Sequence, residues 1–241
     1  MSRTSRPDSG RSYAAWAGVL GALFTSAMLV CYLMATRGDL TAMYDPAWAL
    51  AMPAAAQTWF VAAMVVDSFG VYLPFLLIGG YLWGTLRPRF GAPIDMATLA
   101  LGCYVLLGLA GASMQIAALP ALAAAHAAGD AMVRAASESS WLTVVMTTQG
   151  GLWPMEGPLM AFWGIVVGRA LMATGDRLGG LLATVGVLYG AYFVAVLVRA
   201  AEVALMIELL MVGALTVWML LTGVNLLRKG DRPVGEAVTI N

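Results

Sequence analysis

The sequence predicts an all-α polytopic membrane protein with six transmembrane helices in one bundle. Its 241 residues are 61% hydrophobic and only 11% charged, and the mean hydropathy is +0.83. Soluble domains carry roughly 25% charged residues, so this chain is too apolar to fold around one aqueous core. The apolar residues also form separate runs of about 20 residues or more, the length that crosses a hydrocarbon layer as a helix.

The apolar runs divide the chain into three segments. A basic N-terminal tail over residues 1–12 precedes a first run that is longer than the core of a signal peptide, which favours a transmembrane helix. The transmembrane domain covers residues 13–228, and a C-terminal tail covers residues 229–241. The six predicted spans are residues 14–35, 57–85, 94–118, 141–171, 178–199 and 203–227.

The positive charges predict the orientation of the bundle. Ten Lys and Arg residues fall on one side of the predicted spans and three on the other. The ten are Arg3, Arg6, Arg11, Arg87, Arg89, Arg169, Arg177, Arg228, Lys229 and Arg232, and the three are Arg37, Arg134 and Arg199. Because positive charge favours the cytoplasmic side, we expect both termini in the cytoplasm of a bacterial plasma membrane. The two long loops, after the first and third spans, then lie outside.

Glycine pairs in the spans predict where helices touch. Small residues four apart allow two helix backbones to approach closely in lipid. Glycine is otherwise costly inside a helix, so a pair with this spacing favours a packing role. The pairs are Gly80/Gly84, Gly164/Gly168 and Gly186/Gly190.

Prolines in the second and fourth spans predict kinks. Proline lacks the backbone donor of a regular helix and its ring clashes with the preceding turn. Pro74 and Pro158 are each followed by the same glycine pattern, Pro-x5-Gly-x3-Gly, which we interpret as a similar mechanical device rather than a repeat. The stretch TTQGGLWPMEGPLMAFWG, residues 147–164, also contains Pro154 and predicts a kink or a short unwound segment.

Three acids in different spans are the candidate functional residues. A charged side chain at the bilayer centre costs at least roughly 2.5–3.5 kcal/mol, so such residues face protein or water. Asp67, Glu156 and Glu208 lie at similar depth, and they predict an outward-facing polar cavity that binds a proton, a cation or a small ligand. Arg199 is the predicted counter-charge, and Gln149 a further polar group. The alternatives are interhelical hydrogen bonding for the first two acids and an interfacial charge cluster of Arg199, Glu202 and Glu208.

The motifs exclude several functional classes. The chain has no HExxH, GxSxG or P-loop motif, and its single histidine, His126, cannot build a multi-imidazole site. The basic ends are too sparse for nucleic acid. We therefore predict no enzyme, no cofactor and no metal, and Cys31 and Cys103 are interpreted as packing residues.

The predicted function is permease-like transport or the binding of a small ligand or cation. The alternative is a non-catalytic membrane subunit or scaffold of a larger complex. The lipid bilayer is the predicted partner, and a homo-oligomer or a membrane partner subunit stays open.

The last span carries a family resemblance. The stretch ALMIELLMVGALTVWMLLTGVNLLRKG, residues 204–230, resembles the last helix of a family of uncharacterised six-span bacterial integral membrane proteins, of the domain-of-unknown-function type. Its pattern is an acid, an apolar run, Trp-Leu-Leu and a glycine before basic residues. The corresponding residues here are Glu208, Trp218, Met219, Leu220, Gly223 and Arg228. The resemblance implies the six-span architecture and no activity, and the long loop after the third span departs from the family.

Overall fold

The computed structural model describes residues 9–230, and every regular element in that range is helical. The helices are α1 (Ser9–Thr36), α2 (Pro46–Leu50), α3 (Ala54–Asp67), α4 (Leu73–Phe90), α5 (Ala92–Ala128), α6 (Ala131–Thr147), α7 (Glu156–Ala173), α8 (Leu178–Leu197) and α9 (Ala201–Gly230). A 3₁₀ turn, Ala42–Tyr44, precedes α2, and two π-helical turns, Ser68–Tyr72 and Thr148–Leu152, follow α3 and α6. The predicted all-α class is confirmed for these residues.

Five stretches of helix in this range are long and apolar enough to cross a membrane. They are Ser9–Thr36, Ala54–Phe90, Ala92–Ala128, Leu178–Leu197 and Ala201–Arg228. This pattern supports a membrane-embedded protein. The predicted fourth span, residues 141–171, is not one of the five, because the π-helical turn after α6 and a turn at residues 153–155 divide it into two shorter helices. The predicted tails 1–8 and 231–241 lie outside the described residues.

Local chemistry explains where several helices begin and end. Asp130 precedes α6 and accepts hydrogen bonds from the backbone N–H groups of Met132 (2.9 Å) and Val133 (3.0 Å), so its side chain caps the helix. Glycines with positive φ lie between α4 and α5 and between α7 and α8, at Gly91 (64°) and Gly175 (85°). Glycine adopts a positive φ at no steric cost, and this conformation ends each helix and lets the chain turn back into an antiparallel neighbour.

A layer of buried aromatic rings forms the centre of the bundle. Phe75 of α4 stacks on Trp218 of α9 with ring centroids 5.9 Å apart and an interplanar angle of 12°. Trp163 of α7 meets both rings edge-on, at 5.5 Å from Phe75 and 5.9 Å from Trp218. All three side chains are fully buried. Offset and edge-to-face pairs contribute about 0.5–1.5 kcal/mol each beyond their buried area, so this layer ties three helices together.

The two long connections pack against each other as a cap over one end of the bundle. We use "cap" for residues 37–53 together with the hairpin formed by residues 119–141. Trp141, fully buried, donates its indole N–H to the carbonyl of Met43 at 3.0 Å. His126 of α5 contacts Glu138 of α6 at 2.8 Å. Most of the hairpin is helical, because α5 continues through an alanine-rich segment of high helix propensity.

The predicted glycine contacts are made by α7 and α8. A Cβ added to Gly164 would lie 2.9 Å from the Cα of Gly186, and one added to Gly168 would lie 2.6 Å from a backbone oxygen of α8. A Cβ on Gly190 would be in ordinary contact with α7, at 3.5 Å from Ala161. The pair at residues 80 and 84 differs, since added Cβ atoms there would meet no described atom within 4 Å. The predicted contact of that pair is therefore not made within the described chain.

We expect Gly168→Ala and Gly80→Ala to have opposite effects on stability. The first substitution places a methyl group against the backbone of α8, so it should lower the free energy of unfolding by about 1–3 kcal/mol. The second adds a better helix former in open space and should leave that free energy unchanged or raise it by up to about 1 kcal/mol. Unfolding by SDS titration in mixed micelles, followed by circular dichroism, measures both. Equal effects of the two substitutions would contradict the assigned packing.

Candidate functional site

A proline breaks the second predicted span beside its acid. Pro74 has no N–H group to offer the preceding turn, and its ring needs space there. The backbone responds with a π-helical turn, in which the N–H of Leu73 bonds to the carbonyl of Ser68, five residues back. Asp67 ends α3 immediately before this turn, and Tyr72 ends the turn. Turns of this kind are rare and are often located at functional sites.

The fourth predicted span is broken in the same way. The N–H of Trp153 bonds to the carbonyl of Thr148 at 2.9 Å, and Pro154 follows. The two local sequences, SFGVYLP and TQGGLWP, share a hydroxyl residue, a glycine two positions later and a proline six positions later. The sequence pattern pairs Pro74 with Pro158, but the structure makes Pro154 its local counterpart, whereas Pro158 lies within the first turn of α7.

The hydroxyl residue that begins each π-helical turn acts alike in both. Ser68 Oγ donates to the carbonyl of Met64 at 3.0 Å, and Thr148 Oγ1 donates to the carbonyl of Val144 at 2.8 Å. Each of these carbonyls also accepts the backbone N–H of the same residue, and such a side-chain bond to the carbonyl four residues back bends a helix. The shared bonding, rather than proline spacing alone, defines the two breaks as one kind of structure.

A hydrogen bond joins the two broken helices. Tyr72 Oη donates to Glu156 Oε1 at 3.2 Å, with Oε2 at 3.5 Å. Glu156 is the first residue of α7, and the turn at residues 153–155 directs it inward, where it is only 5% exposed. Tyr72 is also buried. The bond connects residues 84 positions apart in the chain, so it is a tertiary feature with no local sequence signal.

Asp67 completes a pair of carboxyl groups. It is 9% exposed, and it lies within electrostatic range of both Glu156 and Tyr72. Among residues 9–230 the ion pairs within 4.0 Å are Arg87–Asp95 and His126–Glu138, so no basic side chain pairs with either buried acid there. We use "acid pair" for Asp67 and Glu156.

Two further tyrosines extend the site toward the layer of buried aromatic rings. The hydroxyls of Tyr104, on α5, and Tyr189, on α8, are 3.0 Å apart and share a hydrogen bond. The ring of Tyr104 lies 5.5 Å from that of Tyr72, and Tyr189 is within electrostatic range of Glu156. None of the three tyrosines is among the predicted site residues, because a phenol in an apolar span is indistinguishable from a packing aromatic until its hydroxyl finds a partner.

Glu208 does not join the buried pair. Its side chain is exposed on α9 and lies within electrostatic range of Tyr32, Tyr44 and Tyr192. Tyr44 belongs to the cap, and both burial and the Glu208 carboxylate raise the pKa of its phenol above the ordinary value. Glu208 also interacts at longer range with Glu156. The three predicted acids therefore lie in one region. Glu208 is nearer the cap than the other two, and its side chain is on the exposed surface of α9.

The other two predicted site residues are placed elsewhere. Arg199 is exposed at the turn between α8 and α9, with a positive φ of 58°, and forms no ion pair within 4.0 Å among the described residues. The predicted counter-charge is thus not located at the acid pair. Gln149 donates to Gln115 Oε1 at 3.4 Å, and Gln115 donates to Thr148 Oγ1 at 2.7 Å. These amides hold the second π-helical turn against α5.

The arrangement has a limited chemical repertoire. Carboxyl and phenol oxygens exchange protons or coordinate small hard cations. In the described part of the chain no three His, Cys, Asp or Glu side chains are grouped to hold a metal ion. The site therefore offers two carboxyl groups and three nearby phenols, without a nucleophile activated by a base.

Comparisons with protein-family models, with curated proteins and with solved structures found no match. The resemblance of the last span to a six-span bacterial family stays a prediction. The geometry of the acid pair and its surroundings is therefore the basis for inferring function.

We expect Tyr72→Phe to destabilise the protein by about 1–3 kcal/mol, because it leaves a buried carboxyl group without its donor. Tyr13→Phe is the matched control, since that side chain is exposed and removing its hydroxyl should change nothing measurable. Unfolding by SDS titration measures both variants. A Tyr72→Phe protein as stable as the control would show that the bond does not hold the two helices together.

Proposed function

We propose that this protein is a six-span permease-like membrane protein that binds and moves protons or small cations through a polar cavity on its outer side. The five long apolar helices supply five spans, and the broken segment of α6 and α7 supplies the sixth. The bias of Lys and Arg supports placing both termini in the cytoplasm of a bacterial plasma membrane and the cap outside.

The acid pair is the observation that carries this proposal. An ionised carboxylate taken out of water is costly unless a charge or hydrogen bonds compensate it. Asp67 and Glu156 are buried within electrostatic range of each other, and no basic side chain of the described residues pairs with them. Two acids in such a place are neutralised by protons or by a bound cation. A site that must take up a proton or cation and can release it again is suited to transport.

The surroundings of Glu208 support access from the cap side. This exposed carboxylate lies near Tyr44 of the cap and near phenols of α1 and α8. A negative group at the mouth of a cavity raises the local concentration of cations. We infer that Glu208 belongs to the entrance, and that the acid pair is the inner binding site.

The aromatic layer supplies the closed side of the pathway. Phe75, Trp163 and Trp218 fill the centre of the bundle, and Tyr104 and Tyr189 lie between this layer and Glu156. Transport requires this layer to open while the entrance closes. The two π-helical turns are suited to such movement, because interrupted helices form the binding sites of many transporters, although that likeness is one of architecture only.

A second function, as a subunit of a complex, is favoured by one observation. The residues Gly80 and Gly84 lie on an exposed face of α4 where nothing described contacts them. Glycines with this spacing favour a second helix, which here would come from another copy of the chain or from a partner subunit. This interpretation does not require the acid pair to act in transport.

We expect Asp67→Asn and Glu156→Gln each to reduce cation or proton flux. The protein is reconstituted into liposomes containing a pH-sensitive or Na⁺-sensitive dye, and flux is driven by an imposed membrane potential. Each variant should lower the initial rate about tenfold or more, because an amide neither releases a proton nor neutralises a cation. The control is Glu202→Gln, an exposed acid at the start of α9. Rates equal to the control in both variants would overturn the proposal.

Accessibility from outside tests the cavity separately. Cys31 and Cys103 are removed, and single cysteines replace residues 67, 156 and 208 in turn. With a membrane-impermeant thiol reagent on intact cells, we expect rapid labelling of Glu208→Cys and slower labelling of the two buried positions, following their exposure. If none of the three reacts while a cysteine introduced in the cap does, the acids have a structural role. That result would favour the second function, a subunit of a complex.

A further inference from the structure

Two cavities adjoin each other at the end of the bundle opposite the cap. One has a volume of about 280 Å³ and lies among the ends of α4, α7 and α9 and the start of α8. The other has a volume of about 290 Å³ and lies between the start of α8 and the end of α9. Asp176, Leu178 and Asn225 line both, so the two spaces are neighbours. This region is separate from the acid pair and from the proposed proton or cation pathway.

Two arginines from different elements line the second of these cavities. Arg177 precedes α8, and Arg228 lies near the end of α9, at the last residue of the apolar stretch Ala201–Arg228. Both side chains are exposed, and within the described residues neither forms an ion pair with a carboxylate inside 4.0 Å. At the end of a span they reach the level of lipid headgroups. Paired guanidinium groups are suited to a phosphodiester, which they bind through several parallel hydrogen bonds.

The same cavity has an apolar side. Leu221 and Val224 of α9 line it, and Leu221 is 43% exposed. They lie one to two turns along the helix from Arg228, on the side of the hydrocarbon layer. A basic pocket between transmembrane helices with an apolar wall fits an anionic lipid better than a free anion, which would gain nothing from the wall.

The deeper cavity holds an unsatisfied hydroxyl. Thr222 lines it and is only 7% exposed, and its Oγ1 has no hydrogen-bond partner among the described residues. Other threonines in these helices, such as Thr216 on the same helix, donate to the carbonyl four residues back. A buried hydroxyl without a partner costs about 1–3 kcal/mol, so Thr222 is placed for a polar group that enters the cavity.

The remaining polar lining narrows the class of ligand. The Asp176 carboxylate accepts a hydrogen bond from the N–H of Leu178 at 3.0 Å and lines both cavities. A carboxylate beside the arginines disfavours a multiply charged anion. Asn225 adds an amide between the two spaces. The chemistry matches a singly charged phosphodiester that carries a headgroup with hydroxyls.

We propose that the two adjoining cavities bind one anionic phospholipid of the phosphatidylglycerol type. Its phosphodiester lies between Arg177 and Arg228, and its headgroup hydroxyls extend toward Asn225 and Thr222. Its acyl chains follow the apolar wall of α9 at Leu221. The site does not depend on the proposed transport function, and occupancy would fasten the end of α9 to the start of α8.

The full chain, delipidated in detergent, tests the proposal with defined lipids. Binding is measured by native mass spectrometry and by the shift in melting temperature. The probes are dioleoylphosphatidylglycerol, dioleoylphosphatidylcholine, dioleoylphosphatidylmethanol and inorganic phosphate. We expect one tightly bound phosphatidylglycerol, weaker binding of phosphatidylmethanol, which lacks the hydroxyls, and no saturable binding of phosphatidylcholine. Equal affinity for the anionic lipid and phosphatidylcholine would overturn the proposal, as would displacement of the lipid by equimolar inorganic phosphate.

Variants separate the phosphate contacts from the headgroup contact. Arg177→Gln and Arg228→Gln should each weaken phosphatidylglycerol binding about tenfold or more, because each loses a charge-assisted hydrogen bond. Arg134→Gln, an exposed arginine of the cap, is the matched control and should bind as the unsubstituted protein does. Arg177→Lys and Arg228→Lys should restore part of the affinity. An equal loss in the control variant would mean nonspecific charge attraction and reject the site.

Thr222→Val removes the unsatisfied hydroxyl and keeps the side-chain shape. It should reduce the preference for phosphatidylglycerol over phosphatidylmethanol while leaving the affinity for phosphatidylmethanol unchanged. An unchanged preference would reject the placement of the headgroup in the deeper cavity. Melting temperatures without lipid show that each variant is folded before binding is compared.

Discussion

The hydrogen bond between Tyr72 and Glu156 connects the two irregular segments on which the arrangement of this protein depends. Each partner lies beside a break in its helix, and neither break can move without affecting the bond. In water such a bond contributes little, but in a low-dielectric interior an unpaired carboxyl group is costly. The membrane environment thus makes this contact a constraint on how α4 and α7 pack.

The breaks themselves follow from backbone chemistry. Prolines at positions 74 and 154 remove a donor and crowd the preceding turn, and the chain forms a wider turn that begins at a residue whose hydroxyl bonds to the carbonyl four residues back. The glycines at 164, 168 and 186 then let α7 lie close against α8. The irregular backbone of the two π-helical turns and the close packing of α7 against α8 hold the acid pair in a buried position between rigid helices.

The bundle is chemically different at its two ends. The cap end collects carboxyl groups and phenols, and the opposite end presents arginines around a cavity with an unsatisfied hydroxyl. The aromatic layer of Phe75, Trp163 and Trp218 separates the two regions. The proposed cation site and the proposed lipid site therefore lie at different ends of the bundle, and the two proposals can fail independently.

The sequence by itself determined the class of this protein and the residues that are costly in a membrane. Composition and run length depend on local transfer free energies, so the all-α class, the long apolar helices and the presence of buried acids in the second and fourth predicted spans could be predicted. The contacts that these side chains make could not be predicted, because they join segments that are far apart in the sequence. Only the tertiary structure brought Tyr72 to Glu156, left Arg199 away from the acids and directed Gly80 and Gly84 away from the other described helices. It also decided that the proline at 154, rather than the one at 158, matches Pro74, since a π-helical turn is defined by hydrogen bonds and not by residue spacing.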